Sequence, residues 1–191
     1  MTERQHWDVR YEGADCLHGF EPSEFLVENT NLLPGRGLAL DVASGEGRNA
    51  IYLAECGYQV IALDISTRGL TKCVHVARNR NLPLDAAAVD LGEFPLPESW
   101  FDVIVNFNFL QRDLATRIAG ALKPGGVVVF ETLTTRHRTW KPDFNPAYLL
   151  EPGELPTLLA GLRLLKYREA DIGDAERPRS VASLISRRDR V

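Results

Sequence analysis

Residues 38–57, Leu-Ala-Leu-Asp-Val-Ala-Ser-Gly-Glu-Gly-Arg-Asn-Ala-Ile-Tyr-Leu-Ala-Glu-Cys-Gly, constrain this chain more than any other stretch. A short apolar run ends on Asp41, Gly45 and Gly47 follow, and Ala50, Ile51, Leu53 and Ala54 then recur at helical spacing up to Gly57. The pattern predicts a strand, a tight glycine loop and a helix. Two glycines let the backbone turn sharply and come close to a ligand, while the helix presents unpaired N–H groups at its start. Such a corner is a ligand cradle.

The same alternation continues along the chain. Apolar runs predict strands at 59–64, 84–90, 101–107 and 127–132, the last entered through a Lys-Pro-Gly-Gly turn at 123–126. The unbroken run Val60-Ile61-Ala62-Leu63 suits a parallel strand covered on both faces. Ser66 is placed to cap a helix whose inward stripe is Leu70, Cys73, Val74 and Ala77, and a further helix is predicted over 112–122. Beyond a long loop, 134–150, a helix at 154–161 leads to strands at 162–169 and 180–186. The link between those strands, 171–179, has no helical pattern, so they should form an antiparallel pair. The predicted fold is therefore α/β, a doubly wound seven-stranded sheet, mostly parallel with a C-terminal antiparallel pair. Ahead of it, 1–37 is expected to be a lid or cap segment with a helix at 24–33 capped by Ser23, and 38–191 the ligand-binding domain.

Composition removes several classes. A net charge of −4 gives no general attraction to nucleic acid. Nothing near 18 consecutive apolar residues appears, which excludes a membrane-spanning helix, and the start Met-Thr-Glu-Arg-Gln-His has no apolar signal region. Cys16, Cys56 and Cys73 are scattered without C-x-x-C spacing, against both a disulfide framework and a zinc site. A cytoplasmic protein without a metal, acting on a small molecule, is the expectation; oligomeric state is not legible. Basic residues 187–190 read as a solvated tail. Those at 136–141 suit either an anionic substrate or a solvated loop, since loops as long as 134–150 are functional or disordered.

Gly45-Glu46-Gly47-Arg48-Asn49-Ala50 matches the dinucleotide pattern G-x-G-x-x-G/A, and Asp64 closes the second strand 19 residues after Gly45, placed to accept ribose hydroxyls. On this match alone a nicotinamide-dependent oxidoreductase and another adenosine-binding protein stand level. Asp41, beside the loop, would oppose a pyrophosphate but suits an ammonium or sulfonium. Asp90, ending the third strand, can accept from an adenine amino group. The terminal antiparallel pair replaces a second mononucleotide-binding half. These three features favour a cationic adenosine ligand.

On these residues the chain resembles the class I S-adenosylmethionine-dependent methyltransferases, whose signature is an acidic residue followed by G-x-G-x-G. Here that signature reads Asp41-Val42-Ala43-Ser44-Gly45-Glu46-Gly47, with Ala43 in place of the first glycine. Trp7-Asp8-Val9-Arg10-Tyr11, His18-Gly19-Phe20-Glu21-Pro22-Ser23 and Gly45–Ala50 are similar to the tellurite-resistance and thiopurine methyltransferase-like branch. The resemblance implies S-adenosylmethionine as cofactor, held by Asp41, Ala43, Ser44, Gly45, Gly47, Asn49, Asp64, Ile65, Asp90, Leu91 and Asn106. It makes Trp7, Arg10 and Tyr11 lid residues, though core packing accounts for the aromatics equally well. The implied reaction is in-line methyl transfer to a small acceptor such as a thiol or chalcogen oxyanion, and a soft or ionised acceptor needs no base. A cofactor-binding module without turnover is the further alternative. Substrate-side candidates are His18, Phe109, Arg112 and His137, with Phe109 able to floor a pocket and His18 or His137 to act as a base. Glu131 and Thr132 either face the crevice or end their strand.

Overall fold

The computed structural model describes residues 1–190 apart from 14, 15, 18 and 20. One sheet carries seven strands: β1 (Gly37–Val42), β2 (Tyr58–Asp64), β3 (Leu84–Ala88), β4 (Phe101–Phe107), β5 (Leu122–Leu133), β6 (Arg163–Ile172) and β7 (Arg179–Arg187). Their order is β3-β2-β1-β4-β5-β7-β6. The first five pair in parallel, and β7 runs antiparallel to both β5 and β6. This is the architecture expected from the alternation of strands and helices. Its order reverses between β1 and β4, so a crevice opens beyond the carboxyl ends of those strands.

The helices are α1 (Glu3–Arg10), α2 (Glu24–Glu28), α3 (Arg48–Glu55), α4 (Thr67–Asn79), α5 (Arg112–Ala121) and α6 (Glu154–Leu158). They cover the sheet on both faces. One core joins Phe25, Leu26, Leu53, Cys73 and the α3 side of the strands, and the other joins Leu40, Ile104, Phe130, Leu114 and Ile118 on the α5 side. Each fully buried side chain of this kind contributes about 1.5–3 kcal/mol of transfer free energy. Ser66 caps α4 as expected, accepting from the Gly69 amide at 3.1 Å. Among the described residues no helix is long and apolar enough to cross a membrane.

Several local expectations need correction. The lead-in contains α1, which the sequence pattern did not signal as an apolar stripe because none of its residues is buried. A capping box starts it: the Gln5 amide donates to Thr2 Oγ1, and the Thr2 amide donates to Gln5 Oε1. The helix expected over 24–33 stops at Glu28, and Thr30–Leu32 is one 3-10 turn. Asn29 Nδ2 and Thr30 Oγ1 donate to the carbonyls of Phe25 and Leu26, competing with continued helix. Ser23 occupies the N-cap position without a side-chain bond, and its amide donates instead to Asn49 Oδ1.

The third strand ends at Ala88 rather than 90, because Asp90 turns the chain by accepting from the Gly92 amide. The turn expected at 123–126 lies inside β5. Phe101 pairs with Leu122 and Val103 with Val127, so the four residues between bulge, with Gly125 at φ +82°. The final strands are longer than expected, Arg163–Ile172 and Arg179–Arg187, and α6 is shorter than 154–161. The basic end of the chain is only partly a solvated tail: residues 189 and 190 are exposed, but Arg188 donates to the carbonyls of Gly120 and Leu122 and so covers the end of α5.

Candidate functional site

A cleft of about 920 Å³, open solvent included, lies over the carboxyl ends of β1, β2 and β4. Its floor is the link between β1 and α3. Ala43, Gly45 and Gly47 all take positive φ, at +52°, +55° and +82°. Alternate residues of the signature are therefore the ones that must enter the left-handed region, where glycine has no side-chain clash. Ala43 enters it at a cost of about 1–2 kcal/mol. Gly47 has a second reason to lack a side chain, since a Cβ there would run into Cys73 Sγ on α4. A Cβ on Gly45 would lie 2.6 Å from Tyr11 Oη.

Carboxylates ring this loop. Asp64, at the end of β2, accepts from the Gly45 amide at 2.7 Å and the Ser66 amide at 2.8 Å, holding the loop against α4. Burial raises its pKa in spite of those donors. Asp41 is more isolated. Burial pushes its carboxyl up to about 8, the Ala50 amide and the Arg48 charge pulling weakly the other way. Its Oδ2 is buried without a hydrogen-bond partner, as are Ser44 Oγ and Asn106 Oδ1. Asp90 and Leu91 form the wall beyond β3.

The N-terminal segment makes the other wall, with Glu3, Trp7 and Tyr11 facing the cleft. Trp7 stacks on Tyr11 with centroids 5.8 Å apart, and the Arg10 guanidinium lies 5.2 Å from the Trp7 ring. Asp8 anchors α1 to the start of α4, accepting from Ser66 Oγ at 2.6 Å and the Arg68 amide at 3.1 Å. The Ser66 hydroxyl holds the Asp8 carboxyl below its ordinary range. Tyr11 is buried, which together with the charges of Asp64 and Glu46 keeps its phenol protonated.

Of the residues singled out from sequence, the cleft gathers Trp7, Tyr11, Asp41, Ala43, Ser44, Gly45, Gly47, Asn49, Asp64, Ile65, Asp90, Leu91 and Phe109. Arg10 sits on the outer side of Trp7. Asn106 lies buried under the cleft, its Nδ2 donating to the Phe109 carbonyl at 2.8 Å. Arg112 is outside it, bound to Glu154 and to the carbonyls of Ala147 and Leu149. His137 is likewise not in its lining; it is buried against Trp140 and Phe144, with burial lowering its pKa. His18 lies outside the described residues. The lining also includes Glu3, Glu46, Arg48, Asn108 and Gln111, which the pattern did not single out. Glu46 and Arg48 are inside the signature itself, and Glu3 follows the capping-box Thr2.

Beyond Phe107, Asn108 takes φ +59° and its Oδ1 accepts from the Arg179 guanidinium. Arg179 and Arg48 are both largely withdrawn from water, which lowers their pKa values, and Arg48 also feels the charges of Arg179, Asp41 and Glu131. Glu131 is buried and accepts from Ser183 Oγ at 2.6 Å, close enough to act on this charged group; neither it nor Thr132 ends β5, which runs on to Leu133, and neither is in the cleft lining. Arg136 is occupied by a two-oxygen ion pair with Asp171 on the exposed surface. Among the described residues no group of side chains is arranged to hold a metal ion.

A family model described as a methyltransferase domain matches residues 39–126, from β1 to the bulge in β5. The chain is 31% identical to hemagglutinin 1 of Eikenella corrodens, over 69% of this chain and 45% of that protein. It is also 31% identical to malonyl-acyl-carrier-protein O-methyltransferase of Salmonella typhimurium, over 68% of this chain and 48% of that one. The chain thus spans about half the length of the curated relatives it matches. TehB from Haemophilus influenzae has the same fold, with a TM-score of 0.71 at 19% identity, covering 97% of this chain and 67% of that one. Residues 39–126 thus match a methyltransferase domain, and the signature loop, the sheet order and these relatives support a class I S-adenosylmethionine-dependent methyltransferase.

Proposed function

We propose that the chain transfers the sulfonium methyl group of S-adenosylmethionine to a small-molecule acceptor. The observation that carries this is Asp41, a buried carboxyl with an unpartnered oxygen beside the glycine loop. An orphaned buried acceptor costs about 1–3 kcal/mol, and a cationic ligand removes that cost. A pyrophosphate would add to it, which disfavours the nicotinamide alternative.

The residues present fit the cofactor. Gly45 and Gly47 fit where a Cβ would meet Tyr11 and Cys73, and Ser44 Oγ, Asn106 Oδ1 and Asp41 Oδ2 offer unused polar atoms around the loop. Asp64 already accepts from the amides of Gly45, Ser66 and Ile65, but a carboxylate has roughly four acceptor sites, so it retains capacity for a ribose hydroxyl. Asp90 and Leu91 would face the base, and Trp7 and Tyr11 on the N-terminal segment would close the cleft as a lid. When bound, S-adenosylmethionine supplies an electrophilic methyl carbon, which an acceptor takes while the carbon–sulfur electron pair stays on sulfur. The chain's part is to bind, orient and exclude water, and positioning of this kind can supply roughly 7–11 kcal/mol.

The acceptor is proposed to be an anion or an ionised thiol, a chalcogen oxyanion included. Arg48 in the cleft lining and Arg179, which donates to Asn108 of that lining, support this, whereas Arg136 lies outside the lining and pairs with Asp171. Such an acceptor needs no general base, in keeping with His137 being buried outside the cleft lining. Thiols, selenite, tellurite, phenols and amines, each incubated with the protein and S-adenosylmethionine carrying a labelled methyl, test the reading. Labelled product from a thiol or oxyanion is expected. Cofactor binding without product from any of them would favour the non-catalytic module.

A further inference from the structure

The wall of the cleft beyond β3 stands at the edge of the sheet, since β3 is the first strand in the order and has a neighbour on one side only. Past Val89, whose amide donates to the Asp64 carbonyl at 2.9 Å, the chain turns over residues 90–94. Asp90 Oδ1 accepts from the Gly92 amide at 2.8 Å, and the Asp90 carbonyl accepts from the Phe94 amide at 2.8 Å. Two further carbonyls of this turn are held from outside it. Arg117, in the middle of α5, donates from Nη2 to the Leu91 carbonyl at 2.6 Å and from Nη1 to the Phe94 carbonyl at 2.8 Å. Its side chain is 28% exposed, with the Asp113 carboxylate 3.8 Å away. A planar guanidinium presents its donors in a fixed fork, so the two carbonyls are held at one spacing and one orientation.

We propose that Arg117 sets the nucleobase preference of the cleft: by fixing the 90–94 turn against α5 it holds the Asp90 carboxylate against the exocyclic amino group of a 6-aminopurine, and so makes the cleft reject a 6-oxopurine. This rests on the methyltransferase reading above. Asp90 and Leu91 line the cleft and Arg117 does not, so Arg117 is a positioning residue that acts through Asp90. A carboxylate only accepts, and an amino group donates to it, whereas a 6-oxo group sets oxygen against oxygen. A 6-oxopurine has a donor too, N1–H, one position along the edge of the base, which a mobile carboxylate reaches and a fixed one does not. Asp90 is exposed at the sheet edge, so its place depends on the backbone that carries it, and that backbone is what Arg117 holds.

The test measures dissociation constants of wild type, Arg117→Met, Asp90→Ala and the double variant for S-adenosylhomocysteine and for S-inosylhomocysteine, which carries a 6-oxo group in place of the 6-amino group. Wild type is expected to prefer the adenosyl compound by about tenfold or more, and Arg117→Met by roughly threefold or less, because a site built to hydrogen-bond one group rejects its analogue only while the partner is held in place. Asp90→Ala should lose the preference as well, and adding Arg117→Met to it should change the ratio no further, since both act at one contact. A role confined to stability would weaken both ligands alike and leave the ratio at its wild-type value, which overturns the proposal. A wild-type ratio near one, or a double variant in which the two losses multiply, also overturns it. If Arg117→Met does not fold, Arg117→Lys is read in its place: it keeps the charge but lacks the fork, so a ratio of about fivefold or less is expected, and the wild-type ratio would contradict it. Failure of wild type to bind either compound would remove the methyltransferase reading itself, whereas binding of both without preference would remove only the selection by Arg117.

Discussion

Asp41 ties the loop to a pH dependence. Burial raises its carboxyl from an ordinary 3.8 to about 8, so the folded chain keeps a proton that the unfolded chain releases. Stability is thus highest below its unfolded value, falls as pH rises through the window between 3.8 and about 8, and is lowest above it. Asp41→Asn should remove that fall: at high pH the variant is expected to be more stable than wild type by about 1–3 kcal/mol, as denaturant titration across the window would read. It should also lose about tenfold in affinity for S-adenosylmethionine while S-adenosylhomocysteine, which lacks the sulfonium charge, is held nearly as before. Parallel pH profiles in the two proteins would contradict this role. Much of the candidate site was legible because polar and glycine residues are dense in the signature and at the next strand end: sequence placed Asp41, Gly45, Gly47 and Asp64 together, and all four line the cleft. Ala43 was legible as a departure, whereas its left-handed backbone could be seen only in the fold.

At the scale of elements, periodicity recovered β1, β2, β4, β7 and α3 to α5, which bury apolar residues, and the second half of β5. The edge strands β3 and β6 bury none of their residues, and the turn signals around them marked them instead. Helix α1 buries none of its residues, since it is held by Asp8 and by the ring of Trp7, so no stripe announces it. Long-range pairing also hides from local pattern, as the β5 bulge and the Arg188 contacts to α5 illustrate. Arg112 is the instructive case among the candidate side chains. It ties α5 to α6 through Glu154 at 2.5 Å and holds the carbonyls of Ala147 and Leu149. Arg112→Ala is therefore expected to lower stability by about 1–2 kcal/mol in thermal unfolding while leaving S-adenosylhomocysteine affinity within roughly twofold. A raised Michaelis constant for the acceptor with unchanged unfolding would instead make Arg112 a substrate contact.

For the whole molecule, strand order and charge placement converge on one place. The strand order reverses between β1 and β4, and there the chain gathers Asp41, Asp64 and Asp90 around the glycine loop, with Arg48 at the start of α3 and Arg179 at the start of β7. Acidic and basic groups thus meet at the carboxyl ends of the sheet: Arg48 acts on Asp41, and Glu131 acts on both Arg48 and Arg179. A net charge of −4 says nothing of this clustering, so composition indicated an ordinary globular chain and nothing of the acceptor. The central claim is that the glycine loop holds a sulfonium nucleoside. Calorimetric titration of the purified chain with S-adenosylmethionine, S-adenosylhomocysteine and NAD tests it most directly. Saturable one-to-one binding of the two sulfur nucleosides, with no heat from NAD, is the predicted result; NAD binding in their place, or no binding of either sulfur compound, would contradict it.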